Sequence, residues 1–271
     1  MKGTERIKSR QETGLYTRTT GYGADDVVTS WEGRGAAGEL LGIIELTVNI
    51  PFIPGNINNA STFDFPVRHE SMGDIDPHWV VSDEPHPEVI KRAVAAGQRL
   101  QQRGCRAVMG NCGFFANYQN VVAAELDVPF FGSSLMQIPM MLASMGSDQI
   151  VGVLTANGPA LEGADALEQS GVASRDRLVI YGMQDEPEFS SNLLSTTGRL
   201  RPQLIENELV AKATQMVEDH PNIGAICLEC TEFPPHAHAI QNAVRRPMWG
   251  FTTLAHWIHD GLVRHRYKCW R

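Results

Sequence analysis

Two cysteines stand where they could do chemistry together. Cys112 lies in Gly110-Asn-Cys-Gly113 and Cys230 in Glu229-Cys-Thr231. Each follows a short apolar run that reads as a β-strand, 107–109 and 225–228. In open parallel sheets, ligands bind outside the carboxyl ends of strands. Thiols at two such ends, facing each other across a cleft, can act as base and acid on opposite faces of one carbon. One removes the α-proton as thiolate; the other delivers a proton as thiol. A helix N-terminus or nearby backbone N–H groups would lower a thiol's pKa towards the working pH. The same donors could bind a carboxylate and stabilise enolate-like charge. The plain alternative is a pair of buried structural cysteines, since free Cys is among the most buried residue types. The polar neighbours Asn111, Glu229 and Thr231 weigh against it. Cys105, Cys227 and Cys269 lack that context, and Cys227, inside a strand, is read as core. Cys227 and Cys230 form a CxxC, but residues three apart on an extended strand point to opposite faces, so a thioredoxin-like reading is weak.

The elements that position these thiols follow from periodicity. Apolar runs at 41–46, 107–109, 128–131, 150–155, 178–181, 225–228 and 248–251 alternate with helical patterns at 87–103, 117–126, 135–145, 160–169, 205–219 and 236–244. Strands spaced by helices imply βαβ units and a parallel sheet, and continuous apolar strands fit a sheet covered on both faces. The chain also repeats. At an offset of 118 residues, the segment 107–115 falls on 225–233, and Pro129-Phe-Phe-Gly132 falls on Pro247-Met-Trp-Gly250. An earlier pair, Leu41-Gly-Ile-Ile against Val151-Gly-Val-Leu, needs an offset of 110. The expected architecture is α/β with two pseudosymmetric lobes. Each carries a mostly parallel four-stranded sheet flanked by helices, with the active site in the cleft between them.

Composition narrows the function. The chain has 271 residues, 42% hydrophobic and 20% charged, with a formal net charge of −8. That disfavours disorder and coiled coil, and also nucleic-acid or anionic-membrane binding by charge neutralisation. The opening MKGTERIKSRQETG has no apolar core of a signal peptide. The longest greasy stretch, 128–145, is broken by Gly132, Ser133, Ser134, Gln137 and Pro139, so no membrane span is expected. With five cysteines, an odd count, a cytoplasmic protein with free thiols is the expectation. His236, His238 and Glu232 follow Cys230, but no second cluster stands at zinc spacing, and no metal site is expected. GxGxxG, Walker A and GxSxG motifs are absent.

Several segments together resemble the aspartate/glutamate racemase superfamily, which includes hydantoin racemases, arylmalonate decarboxylase, maleate isomerases and the Alma-type dimethylsulfoniopropionate lyases. They are Gly42-Ile-Ile-Glu-Leu, the stretch from Pro54 to Arg68 (similar to the PGDIGN…TFDFPV of one branch), Gly110-Asn-Cys-Gly, Ser133-Ser-Leu-Met-Gln137, Gly152-Val-Leu-Thr-Ala156 and Glu229-Cys-Thr-Glu-Phe-Pro-Pro235. The likeness spans about residues 39 to 255. It implies cofactor-independent chemistry at a carbon α to a carboxylate, with Cys112 and Cys230 as the catalytic pair. It further implies substrate-binding roles for Asn56, Gly113, Ser133, Ser134, Thr155, Asn157, Thr231 and Glu232, and for Thr62 and Arg68 in the branch-specific stretch. For Arg68 the competing reading is a surface salt bridge. The C-terminal helix is expected to return to the first lobe. The expected division is thus an arm at 1–38, lobe one at 39–138 plus 252–271, and lobe two at 139–251. A homodimer or homotetramer is implied by analogy. The chain departs from glutamate racemases at Glu232, where they carry His, and at Glu45-Leu-Thr47 and Asn49, where they carry an acidic-Ser element; it departs from the PGDIGN branch at Asn56, in place of an acidic residue, and at Asn58, in place of Gly.

Three functions follow. The first is a racemase or epimerase of an amino acid or related α-substituted carboxylate. The second is a carbon–sulfur lyase that removes the α-proton with the same cysteine and expels a β-leaving group. The third is a non-enzymatic sensor of a small acid, which has no need of two opposed thiols.

Overall fold

The structure is a computed structural model that describes residues 38–82 and 84–264. Nearly all of the expected N-terminal arm, together with Cys269 and the last residues assigned to lobe one, lies outside the described residues.

Eight strands form two sheets among the described residues. β1 (Leu41–Glu45), β2 (Val67–Ser71), β3 (Ala107–Gly110) and β4 (Phe130–Phe131) make the first, in the order β2-β1-β3-β4. β5 (Ile150–Thr155), β6 (Leu178–Gly182), β7 (Ile223–Leu228) and β8 (Met248–Trp249) make the second, in the order β6-β5-β7-β8. Every pairing is parallel. The internal repeat is visible in the register. Val108 faces Phe130 as Ile226 faces Met248, and Met109 faces Phe131 as Cys227 faces Trp249. Val108 N donates to Pro129 O at 2.9 Å, and Ile226 N to Pro247 O at 2.9 Å.

The helices are α1 (Pro87–Gln102), α2 (Gln119–Ala124), α3 (Ile138–Ala143), α4 (Gly158–Gly163), α5 (Ala166–Gln169), α6 (Pro202–Asp219), α7 (Ala237–Val244) and α8 (Phe251–Leu262). α1 shows how local chemistry sets an element. Pro87 opens it, His86 Nδ1 accepts from Glu88 N, and Glu88 complements the helix N-terminus. Val89, Ala93, Ala96 and Leu100, at three- and four-residue spacing, are its buried stripe.

Three apolar clusters hold the chain. One lies between the sheets and draws on both, with Val108 of β3, Val153 of β5, Leu135, Ile138 and Met141 packed together. A second covers the outer face of sheet two with Leu209 and Met216 of α6 and Ile240 of α7. The third covers the outer face of sheet one. There Phe251, Leu254, Ala255 and Ile258 of α8 pack on Leu41, Ile43, Ala107 and Met109. The helix that follows the last strand of sheet two thus closes sheet one.

Four local expectations change. β2 reads Val-Arg-His-Glu-Ser and has no apolar run, because it is a half-buried edge strand. Phe251 ends no strand; it starts α8. The helix expected over 160–169 is interrupted, with Ala164 in extended geometry between α4 and α5. The patterns at 117–126 and 135–145 begin as 3-10 turns, Gly113–Tyr118 and Ser134–Gln137, before becoming helical.

Candidate active site in the interlobe cleft

The two cysteine loops leave their sheets by the same hydrogen bonds. Asn111 N donates to Ile44 O at 3.1 Å, and Glu229 N to Leu154 O at 2.9 Å. Phe115 N donates to Cys112 O at 2.9 Å, and Phe233 N to Cys230 O at 3.2 Å. Each thiol also receives a backbone N–H from two residues on, Phe114 for Cys112 and Glu232 for Cys230. Both thiols line one cavity of about 170 Å³ between the lobes.

The floor of that cavity is polar and the walls are apolar. Asn111, Cys112, Asn157, Glu229, Cys230, Thr231 and Glu232 stand at the strand ends. Leu46, Val48, Ile50, Phe52 and Phe114 wall it from the first lobe, and Phe189, Leu193 and Leu194 from the second. Pro77, His78 and Val81 also line it. Thr196, also on the wall, holds the left-handed region at φ 46°, a strained geometry for a β-branched residue and one found at functional sites. Among the described residues that line the cavity, none is Arg or Lys.

Two buried acids dominate its electrostatics. The Glu229 carboxylate, 1% exposed, accepts from Thr155 Oγ1 at 2.8 Å and from Ala156 N at 3.2 Å through Oε2. Its Oε1 lies against Gly113, where an added Cβ would fall 1.8 Å away. Only glycine admits this carboxylate beside Cys112. Glu232 accepts from Asn56 Nδ2 at 2.9 Å through Oε1. Burial pushes both carboxyls up to about 7, opposed by the Thr155 and Ala156 bonds at Glu229 and by the Asn56 bond at Glu232. The thiols respond to the same surroundings. Burial first, then the Glu229 charge, holds Cys112 and Cys230 well above the usual thiol range, and the backbone N–H groups do not offset it. The sequence expectation of a thiol lowered towards working pH is thereby corrected: a backbone N–H reaches each thiol, but two carboxylates and no cation accompany it.

The structure brings Cys112, Cys230, Asn157, Thr231 and Glu232 together on the cavity. Asn56 reaches it through Glu232. The remaining expected binders direct their groups to the protein. Thr155 holds Glu229, and Thr231 Oγ1, though on the cavity wall, donates to Asn111 O at 3.0 Å. Ser133 Oγ accepts from Leu135 N at 3.2 Å, and Ser134 Oγ donates to Leu228 O at 2.8 Å. Gly113 backs Glu229 and does not line the cavity. Thr62 Oγ1 donates to Asn56 O at 2.6 Å, which shapes the loop that carries Asn56. Arg68, in β2, pairs with Glu39 and stands off the cavity. His236 pairs with Glu206 and His238 with Asn242.

Glu229 and Asn58 are the polar groups that sequence reasoning passed over. Glu229 figured only as a polar neighbour of Cys230. Asn58 lines the cavity with its amide oxygen buried and without a protein partner. Its place in the PGDIGN-like stretch, two residues from Asn56, was the available signal.

Comparison with known proteins bears on the fold and on the sequence relatives of the chain. No family model matches the chain. Dimethylsulfoniopropionate lyase 6 of Emiliania huxleyi is 30% identical over 220 residues, covering 79% of this chain and 57% of that protein. The dimethylsulfoniopropionate lyase of Durusdinium sp. clade D is 26% identical over 227 residues, covering 82% and 75%. The chain therefore spans under two thirds of the length of the first of these curated relatives. Among solved structures, unliganded arylmalonate decarboxylase superposes with a TM-score of 0.54 at 16% identity, covering 85% of this chain and 94% of that one. Glutamate racemase from Campylobacter jejuni gives 0.54 at 12%, covering 84% and 89%. Allantoin racemase from Klebsiella pneumoniae gives 0.52 at 16%, covering 83% and 89%. Among the described residues, no helix is long and apolar enough to cross a membrane. By its two-sheet fold the chain is similar to arylmalonate decarboxylase and to the glutamate and allantoin racemases, and its sequence relatives are dimethylsulfoniopropionate lyases.

Proposed function

We propose that the chain is a carbon–sulfur lyase that cleaves dimethylsulfoniopropionate or a close β-sulfonio carboxylate. The observation that carries this reading is the charge of the cleft: two buried acids, two thiols and no Arg or Lys among the described residues that line it. A dianionic substrate would meet repulsion there, whereas a sulfonium is attracted by Glu229 and Glu232 and can rest against the faces of Phe52, Phe114 or Phe189. The curated relatives named above carry the same activity in their names. The substrate carboxylate needs hydrogen-bond donors. Asn157 Oδ1 accepts from Ala160 N at 3.1 Å, which leaves its NH2 end to donate to a ligand. A cysteine sulfur facing the α-carbon takes the α-proton as its own proton passes to a neighbouring carboxylate, the C–H electron pair forms the double bond, and the C–S pair leaves with sulfur. The products are acrylate, dimethyl sulfide and a proton held by the protein.

A second reading, racemisation, is favoured by the equivalent placement of Cys112 and Cys230 on opposite lobes, which suits proton transfer at both faces of one carbon. Proton NMR in D2O separates the two, using wild type, Cys112→Ser and Cys230→Ser with dimethylsulfoniopropionate, amino acids and hydantoins. The lyase reading expects acrylate and dimethyl sulfide from wild type and a loss of roughly 100-fold or more in Cys230→Ser. Washout of an α-proton without new products, abolished in both variants, overturns it in favour of the racemase.

A further inference from the structure

We propose that Glu232, held across the cleft by Asn56, is the group that takes up the proton released from the substrate, with the Cys230 thiol as its relay. The inference rests on the lyase reading for its substrate, and on the cleft's own geometry for the choice of residue.

A base must be anionic before the reaction begins. The carboxylates beside the thiols are Glu229 and Glu232, and burial together with those acids outweighs the one backbone N–H at each sulfur and keeps both protonated. The proton acceptor is therefore sought among the carboxylates. Glu229 is closed off: one oxygen is held by Thr155 and Ala156, and the other lies against Gly113. Glu232 is different. Oε1 takes one hydrogen bond, from Asn56 Nδ2 at 2.9 Å, and Oε2 has no partner among the described residues, on a side chain that lines the cavity. Its backbone N–H already points at the Cys230 sulfur, so residue and thiol form one unit. The titratable groups that line the cavity with it are Glu229 and Cys230 from its own loop, Cys112 from the first lobe and His78.

The step balances. Cys230 sulfur accepts the α-proton while its own proton passes to Glu232. The α C–H pair becomes the C=C bond, and the C–S pair leaves as dimethyl sulfide. Glu232 ends as a neutral carboxylic acid, which later releases its proton to solvent. Asn56 is a positioning residue: it fixes the carboxylate across the interlobe gap and favours its ionised form.

The test compares wild type, Glu232→Gln and Asn56→Ala. Gln keeps an acceptor for Asn56 but cannot carry the proton, and a thermal melt checks that it folds. With dimethylsulfoniopropionate, Glu232→Gln is expected to lose about 100-fold or more in kcat, with a smaller rise in KM from the lost charge, and to lose the acidic limb of its kcat–pH profile. Asn56→Ala is expected to move that limb to higher pH, since it loses a donor to the carboxylate. A second readout needs no substrate. Removing the negative neighbour should speed alkylation of Cys230 by iodoacetamide at pH 8 by about tenfold. If wild type releases no acrylate, the lyase reading falls, and the alkylation arm still decides Glu232. Wild-type kcat and pH profile in Glu232→Gln, or an unchanged alkylation rate at Cys230, overturns the proposal.

Discussion

The loop after β3 and the loop after β7 are the same backbone with different chemistry. Both leave the sheet by a hydrogen bond to the neighbouring strand, both place a cysteine at the turn, and both aim the N–H two residues on at its sulfur. The first loop carries Asn111 and Gly113 around its cysteine; the second carries Glu229 and Glu232. Asn111 turns back on its own lobe, exchanging hydrogen bonds with the Leu46 backbone. The Glu229 carboxylate crosses over and settles on Gly113 of the other loop. A repeated frame thus carries an unequal charge. Symmetry of position suits work on two faces of a carbon, while asymmetry of acid–base groups favours proton flow in one direction.

The acidic half of this comparison predicts the largest effect on stability. Glu229 and Glu232 titrate near 7 when folded and near 4.5 in the unfolded chain. A raised folded pKa means that the native state holds its proton longer. Stability is therefore full below about pH 4.5, falls as pH rises towards 7, and is flat above. Each acid should cost about 3 kcal/mol across that window. Urea unfolding at pH 5 and pH 8 measures it, and Glu229→Gln should remove about half of the difference. A fall in stability from pH 8 to pH 5 in this window would contradict the assignment. The contact between the loops is tested next. Gly113→Ala places a methyl group where Glu229 Oε1 lies, so the carboxylate must move. A loss of about 1–3 kcal/mol is expected from crowding, together with reduced turnover. Gly113→Ala with unchanged stability and turnover would mean that the close approach is dispensable. Arg68→Ala sharpens the comparison from outside the cleft. Its partly buried pair with Glu39 should be worth under ~1 kcal/mol, with no change in turnover.

Most of the fold was legible because most strands are buried on both faces. β1, β5 and β7 are continuous apolar runs, and a parallel sheet covered by helices requires them. β2 was not, because Val67–Ser71 sits at an edge and carries polar residues along its length. The cysteine pair was legible through the repeat, a property of order along the chain. The role of Glu229 was not, because its partners Thr155, Ala156 and Gly113 stand 74, 73 and 116 positions away. The apolar walls share that difficulty. Val48, Ile50 and Phe52 lie in a loop, and Phe189–Leu194 forms a π-helical turn, so neither shows a strand or α-helix period.

The return of α8 to the first sheet has a consequence for how the molecule is made. Leu41, Ile43, Ala107 and Met109 are completed early in synthesis, yet their cover of Phe251, Leu254, Ala255 and Ile258 is translated only after all of sheet two. Until then one face of the first sheet stays open, a greasy template exposed for the time it takes to translate the second lobe. Contacts this distant in sequence form slowly, since the loop must close before they reward it. Closing that face adds a second join between the halves to the apolar cluster that already lies between the sheets. A nascent chain stopped before residue 251 should hold a finished second sheet beside an unfinished first one.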